Sequence, residues 1–135
     1  MPNPLRPAIA LAALAASLLL ALAASAQPAG IAIQPLLKAP VSDVAGKQTT
    51  IALATFAPGA TTGRHFHEGD EYATVLDGEL ELNVEGQAPR RLSAGMAYHN
   101  PKGVVHETRN TSGAAARIST VLVIDLGRPL TTPVP

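Results

Sequence analysis

Between Thr49 and Leu126, short runs of Val, Ile, Leu and Thr are interrupted by Gly, Pro, Asp or Asn about every eight to twelve residues. Such runs have the length and composition of strands, and none shows the period of an amphipathic helix. The pattern predicts an all-β domain, either a sandwich or a barrel. We expect strands at about residues 49–57, 64–68, 71–77, 79–85, 90–92, 96–100, 104–109 and 115–125.

The clearest local signal is a tight hairpin at Asp77 and Gly78. An Asp-Gly pair supplies the positive φ angles of a type I′ turn. In the strand that follows, Leu and Val alternate with Glu and Asn, which predicts one buried face and one solvated face. The segment 118–126 is apolar on both faces apart from three residues, which is typical of a central strand.

The first 26 residues have the composition of a secretory signal peptide. One cation, Arg6, precedes a core rich in Ala and Leu, and the small residues Ala24 and Ala26 flank Ser25 at a cleavage site. The apolar stretch is shorter than the roughly 20 residues that a membrane-spanning helix needs. We therefore predict an exported protein, periplasmic or secreted, with no membrane contact after cleavage.

The rest of the chain divides into three parts. Residues 27–48 contain three prolines and are expected to form an extended N-terminal arm with a short strand at 31–37. Residues 49–127 form the β domain. Residues 128–135 are rich in proline and are expected to be a loose tail or a strap over a sheet edge.

The charge balance argues against some partners. Of ten basic and ten acidic side chains only Arg6 lies in the leader, which leaves nine basic and ten acidic ones in residues 27–135. This near-neutral balance gives no reason to expect nucleic acid as a partner. Because the chain has no cysteine, packing must stabilise the domain, with help from a metal or a second subunit.

Three histidines and one glutamate of the β domain have the spacing of metal ligands. His65 and His67 are two residues apart and therefore share one face of a strand, and Glu71 follows a polar break that contains a glycine. His106 comes from a second segment. Imidazoles together with one carboxylate suit a mixed nitrogen and oxygen site for a divalent transition metal.

Two motifs carry a resemblance to a known family. The first is Gly59-x5-His65-x-His67-x3-Glu71-x6-Gly78, and the second is Gly95-x5-Pro101-x-Gly103-x2-His106-x3-Asn110. Together they resemble the paired motifs of the cupin family, with every defining position filled. The resemblance implies a double-stranded β-helix, or jelly-roll, barrel whose four ligands point into its mouth.

The resemblance also implies a range of metals and activities. Cupins bind iron, manganese, nickel, copper, cobalt or zinc, and compact members are often homodimers whose N-terminal strand reaches the partner. We expect a dioxygenase-like oxidoreductase that acts on a small organic substrate at the metal, with Glu71 also acting as a catalytic base. The alternatives are a non-catalytic cupin that binds or senses a small ligand or a metal, and a domain whose metal is structural, such as a closed tetrahedral zinc.

We expect further side chains to line the site, because they lie close to the four predicted ligands or share their inward face through the alternation of a strand. Two of them would form a small apolar floor beneath Glu71, and His99 would act as a proton relay or support a ligand. For each residue the ordinary alternative is packing in the core or, for His99, a solvated position. The residues selected are Ala73, Val75, Met96, Tyr98, His99 and Thr108.

Overall fold

The computed structural model describes residues 28–135, and its secondary structure in this range consists of strands and turns. The predicted leader, residues 1–26, lies outside the described residues. Within the described range no helix is long and apolar enough to cross a membrane. The strands are β1 (Ile31–Pro40), β2 (Lys47–Phe56), β3 (His65–Phe66), β4 (Gly69–Asp77), β5 (Glu79–Val84), β6 (Arg90–Ser93), β7 (Ala97–Asn100), β8 (His106–Arg109), β9 (Ala116–Asp125) and β10 (Thr132–Pro133).

The strands form two five-stranded antiparallel sheets. Sheet A has the order β1-β2-β9-β4-β7, and sheet B has the order β10-β3-β8-β5-β6. The hydrophobic core lies between their inner faces and includes the fully buried side chains of Phe56, Val75, Leu80 and Leu92. This architecture confirms the predicted all-β, double-sheet jelly-roll barrel.

Strand β4 connects the core to one end of the barrel. Its residues alternate between buried and exposed, so Glu71, Ala73 and Val75 all face the interior. Ala73 and Val75 belong to the hydrophobic core, whereas Glu71 does not. The glutamate therefore stands at the inner face of sheet A, just beyond the apolar part of the barrel.

The N-terminal segment is more regular than the sequence predicted. Instead of an extended arm with a short strand at 31–37, residues Ile31–Pro40 form a full strand that pairs antiparallel with β2. Pro35 and Pro40 lack an amide donor, which an edge strand tolerates because one of its sides is unpaired. An irregularity in register between Pro35 and Leu37 accommodates the break in the ladder.

The C-terminal segment, residues 128–135, is a strap on the edge of sheet B. Its two-residue strand β10 pairs with β3, and the amide of Val134 donates to the carbonyl of Arg64. The Arg64 guanidinium in turn donates to the carbonyl of Pro135 and pairs with Glu85. The strap thus lies directly against the short strand that carries His65.

Gly69, the first residue of β4, packs on the backbone of β9. A Cβ at this position would overlap the carbonyl oxygen of Val123 and lie 2.6 Å from Cα of Ile124. Because backbone atoms yield little, we expect Gly69→Ala to lower the free energy of unfolding in urea by about 1–3 kcal/mol. Gly113→Ala is the control, because Gly113 is exposed and no atom lies within 4 Å of its added Cβ. Equal stability of the two variants would contradict this tight packing.

Candidate metal centre

The four predicted ligands converge at one end of the barrel interior. His65 lies on β3, His67 directly follows β3, Glu71 lies on β4 and His106 begins β8. His65 and His106 are directly paired across the β3–β8 ladder. All four side chains are buried, with exposed fractions between 2% for His106 and 6% for His65 and Glu71.

The three imidazole rings face one another around a common space. Their centroids are 4.3 Å apart for His65 and His106, 4.9 Å for His65 and His67, and 5.0 Å for His67 and His106. One nitrogen from each ring lies within 4.8 Å of the other two. Oε2 of Glu71 is 3.2 Å from Nε2 of His106 and 3.6 Å from Nε2 of His67. The structure therefore brings three nitrogens and one carboxylate oxygen together.

A backbone carbonyl orients each imidazole. A carbonyl oxygen only accepts hydrogen bonds, so the Nδ1 atom that contacts it must donate. In a neutral ring the proton is then on Nδ1, and Nε2 carries a lone pair available to a metal. The acceptors are the carbonyls of Gly63 for His65 at 2.8 Å, Leu130 for His67 at 2.6 Å and Val104 for His106 at 2.9 Å.

The unsatisfied atoms of the site fit a bound cation. Nε2 of His67 and Nε2 of His106 are buried and have no hydrogen-bond partner among the described residues. Both of these nitrogens lie beside the anionic carboxylate of Glu71. A buried polar atom without a partner is costly, and a divalent cation would satisfy nitrogens and carboxylate together. The residues present therefore fit a transition metal.

The surroundings of His65 and Glu71 also favour the protonation states that metal binding requires. Burial lowers the pKa of His65 to about 4, so this ring is neutral near pH 7. Burial on its own raises the pKa of Glu71, but the neighbouring imidazoles of His106 and His67 lower that pKa by a larger amount. A neutral imidazole and an ionised carboxylate are the forms that bind a metal.

Asn100 holds the carboxylate of Glu71 in place. Its Nδ2 donates a hydrogen bond of 2.8 Å to Oε2 of Glu71, and the two residues are directly paired between β7 and β4. Asn100 is not among the residues predicted from the sequence, although it lies two residues after Tyr98 and therefore shares its inward face. A donor of this kind fixes the orientation of a ligand, as supporting residues do in metal sites.

Four of the predicted lining residues lie inside the barrel. Three of them, from β4 and β7, belong to the hydrophobic core beneath the predicted ligands. The fourth is buried on β8. Burial, together with the negative charge of Glu71, raises the pKa of Tyr98, so its phenol remains protonated. These four buried residues are Ala73, Val75, Tyr98 and Thr108.

The other two predicted lining residues, His99 and Met96, lie outside the barrel. The His99 side chain is 45% exposed, and its ring stacks on Tyr72 with a centroid distance of 4.7 Å. Alternation along β7 explains the correction, because the neighbouring Asn100 faces inward and His99 must face outward. Met96 is 42% exposed in the turn before β7. Neither side chain lines the site.

By its fold and its site, this chain is a jelly-roll protein with a buried cluster of three histidines and one glutamate. The family model for the Cupin domain matches residues 52–125, which is more than half of the chain. The chain belongs to the cupin family.

Curated relatives match parts of this chain. The HTH-type transcriptional regulator PuuR of Escherichia coli (strain K12) is 43% identical over 65 residues, which cover 47% of this chain and 35% of the regulator. The Beta-alanine degradation protein BauB of Pseudomonas aeruginosa is 41% identical over 76 residues, which cover 54% of this chain and 79% of BauB. The chain thus spans about a third of PuuR and most of BauB.

Solved structures share the fold at lower identity. The DMSP lyase DddQ from Ruegeria pomeroyi DSS-3 has a TM-score of 0.64 at 24% identity, covering 76% of this chain and 51% of DddQ. An oxalate oxidase in complex with the substrate analogue glycolate has a TM-score of 0.61 at 22% identity, covering 81% of this chain and 63% of the oxidase. At these identities the comparison supports a common fold alone.

Proposed function

We propose that this protein is an exported, metal-dependent oxidoreductase of dioxygenase type, whose small organic substrate binds directly to the metal. The observation that carries this proposal is the convergence of three oriented imidazoles and one carboxylate in a buried space. Four protein ligands leave one or two open positions on a five- or six-coordinate ion. Export rests on the composition of residues 1–26.

Each residue of the site has a distinct role in this proposal. His65, His67 and His106 hold the ion through Nε2, and Glu71 holds it through its carboxylate. The bound metal supplies Lewis-acid or one-electron chemistry. Glu71 is also the base that accepts a proton from the substrate, and Asn100 keeps its Oε2 oriented during that transfer.

The surroundings of the site favour a small substrate and a dry interior. Ala73 and Val75 are buried beneath Glu71 and present only small apolar surface. The protonated phenol of Tyr98 adds a neutral polar group on the same inner face of sheet A. Excluding water strengthens the electrostatic interactions of the site and protects reactive intermediates.

The metal of the proposed enzyme is a divalent transition ion. Iron, manganese, nickel, copper and zinc all accept imidazole and carboxylate ligands, so the ligand set alone does not choose among them. Loading outside the cytoplasm would expose the site to zinc and copper. Zinc in a purified sample would therefore not identify the native ion.

We also propose that the protein is a homodimer. Strand β1 is at the edge of sheet A, and its residues Ile33, Leu36 and Leu37 are exposed. A long edge strand with exposed apolar side chains is a natural surface for a second copy. Light scattering coupled to size-exclusion chromatography measures the number of subunits directly.

An oxygen-electrode experiment tests the proposed enzyme. Protein loaded separately with Fe(II), Mn(II), Ni(II), Cu(II) and Zn(II) is incubated with catechols, flavonols and thiols. We expect oxygen uptake that depends on both a redox-active metal and a substrate, with loss of that substrate. Absence of uptake with every redox-active metal, together with recovery of all ligands unchanged, would rule out the oxygenase.

A non-catalytic binding or sensing cupin is the second candidate. The observation that favours it is the 43% identity to a segment of the regulator PuuR. A sensor would bind a small ligand at the same metal centre and release it chemically unchanged. Saturable ligand binding without oxygen uptake in the same experiment would favour this function.

A further inference from the structure

Thr50 of β2 carries a polar atom that neither the fold nor the metal centre uses. Its side chain is 9% exposed, and its Oγ1 is buried without a hydrogen-bond partner among the described residues. A hydroxyl can donate one hydrogen bond and accept two. Since buried polar groups in native proteins are nearly always paired, this hydroxyl requires a partner from outside the described residues, such as a ligand or a water molecule.

Thr50 faces the same interior as the metal centre. On β2 it shares its buried face with Ala54 and Phe56, which belong to the hydrophobic core. The ladders pair Thr50 with Leu122 of β9, and Leu122 with Glu71 of β4. Directly paired residues project from the same face of a sheet. Thr50 therefore stands two strands away from Glu71 on the inner face, a backbone separation of about 10 Å.

Glu71, Leu122 and Thr50 form a row of directly paired residues across sheet A, and this row ends in a positive charge. Lys38 of the edge strand β1 pairs directly with Thr50 and therefore projects from the same face of sheet A. Lys38 is exposed and forms no ion pair with another described residue. A cavity of about 610 Å³ at the β1–β2 turn adjoins this end of the row, and its lining includes Lys38 and the buried Gln48.

From this row we infer a subsite for the far end of the substrate, formed by the Thr50 hydroxyl and the Lys38 ammonium. The substrate class is an elongated acid: oxygen donors at one end bind the metal beside Glu71, and a carboxylate at the other end accepts a hydrogen bond from Thr50 and pairs with Lys38. The inference rests on the proposed metal centre and adds the substrate class that this centre would accept.

Two catechols that differ only in their side chain test the subsite. The probes are 3-(3,4-dihydroxyphenyl)propanoate, which carries a carboxylate, and the neutral 4-propylcatechol, and both offer the same two oxygens to the metal. Their affinities for the Zn(II)-loaded full chain are measured by calorimetry, since zinc does not oxidise them. We expect the wild type to bind the acid about 10-fold more tightly than the neutral probe.

Variants at Thr50 and Lys38 test whether these two side chains cause the tighter binding of the acid. Thr50→Val removes the hydroxyl and should abolish most of the preference, whereas Thr50→Ser retains the hydroxyl and should keep it. Lys38→Met should lower the preference and remove its dependence on salt concentration. None of the three substitutions should change the zinc content, because neither residue contacts the four ligands.

The outcomes separate the subsite from the metal centre. Equal affinity of the wild type for both probes, or an unchanged preference in Thr50→Val, would overturn the subsite and leave the metal centre standing. Failure of both probes to bind the zinc-loaded wild type would overturn direct substrate binding at the metal, and therefore both proposals. A lower unfolding temperature of ligand-free Thr50→Val would assign the hydroxyl to a structural water and would also overturn the subsite.

Discussion

Replacing His106 by alanine is expected to abolish metal retention. His106 is the most buried of the four predicted ligands, and its Nε2 lies 3.2 Å from Oε2 of Glu71 without a hydrogen-bond partner among residues 28–135. Loss of residues that only support metal ligands already lowers affinity about 10- to 100-fold, so loss of a ligand itself should cost more. Metal content after dialysis against a weak chelator, measured by elemental analysis, should fall from one ion per chain to near zero.

His99→Ala is the matched control for this experiment. It removes the same side chain from the outer face of β7, where His99 is exposed and stacks on Tyr72. The control should retain metal as the wild type does. If His106→Ala retained a full complement of metal, or if His99→Ala lost it, the four converging residues would not be the metal centre.

Thermal unfolding of the same proteins distinguishes a functional metal from a structural one. A metal that binds only the folded state raises the unfolding temperature, and this increase should vanish in His106→Ala. We expect the metal-free wild type and metal-free His106→Ala to unfold at similar temperatures, because the core of Phe56, Val75 and Leu80 lies beneath the site. A metal-free wild type that does not fold would instead support the structural role.

The sequence predicts the ligands because their positions follow from strand geometry and motif spacing. His65 and His67 share a face by their separation of two, and the second motif identifies His106 on another strand. Which strands become neighbours depends on the packing of the whole barrel. The direct pairing of His65 with His106, and of Glu71 with Asn100, could therefore be seen only in the structure.

The differences between the predicted and the observed structure have equally physical causes. His99 is predicted to line the site because it falls in the turn region before Pro101, but the alternation of β7 directs its side chain outward. The prolines of β1 predict an extended arm with only a short strand, but at the edge of a sheet a missing amide donor costs little. A threonine in a strand is ordinary, so the sequence does not single out Thr50. Its hydroxyl becomes a candidate for binding only because it has no partner within residues 28–135.

The hydrogen bond between His67 and the carbonyl of Leu130 could not be predicted from the sequence. Every residue has a backbone carbonyl, so residue type gives no sign of which one accepts this bond. The Leu130 carbonyl accepts the hydrogen bond of His67 Nδ1 at 2.6 Å from a strap 63 residues further along the chain. The strap also brings Arg128 to Glu68, with 2.6 Å between the guanidinium and the carboxylate. A predicted ligand of the metal centre is therefore oriented by the strap, although the strap itself contains no predicted ligand.

Removing the strap should weaken metal binding although it contains no ligand. Truncation after Gly127 removes the acceptor of His67 Nδ1, so the ring loses its fixed tautomer and orientation. We expect metal affinity to fall about 10- to 100-fold, as it does when comparable supporting contacts are removed, and competition with a chromophoric chelator measures this change. The fall should be smaller than in His106→Ala, because His67 itself remains.

A shorter truncation separates the orientation of His67 from general stabilisation by the strap. Ending the chain after Pro133 retains Leu130 and the pairing of β10 with β3 but removes the contacts of Val134 and Pro135 with Arg64. This protein should bind metal within a few-fold of the wild type while losing some thermal stability. If both truncations weakened metal binding equally, the strap would act through the stability of β3. If neither did, the neighbouring imidazoles and Glu71 would suffice to orient His67 toward the ion.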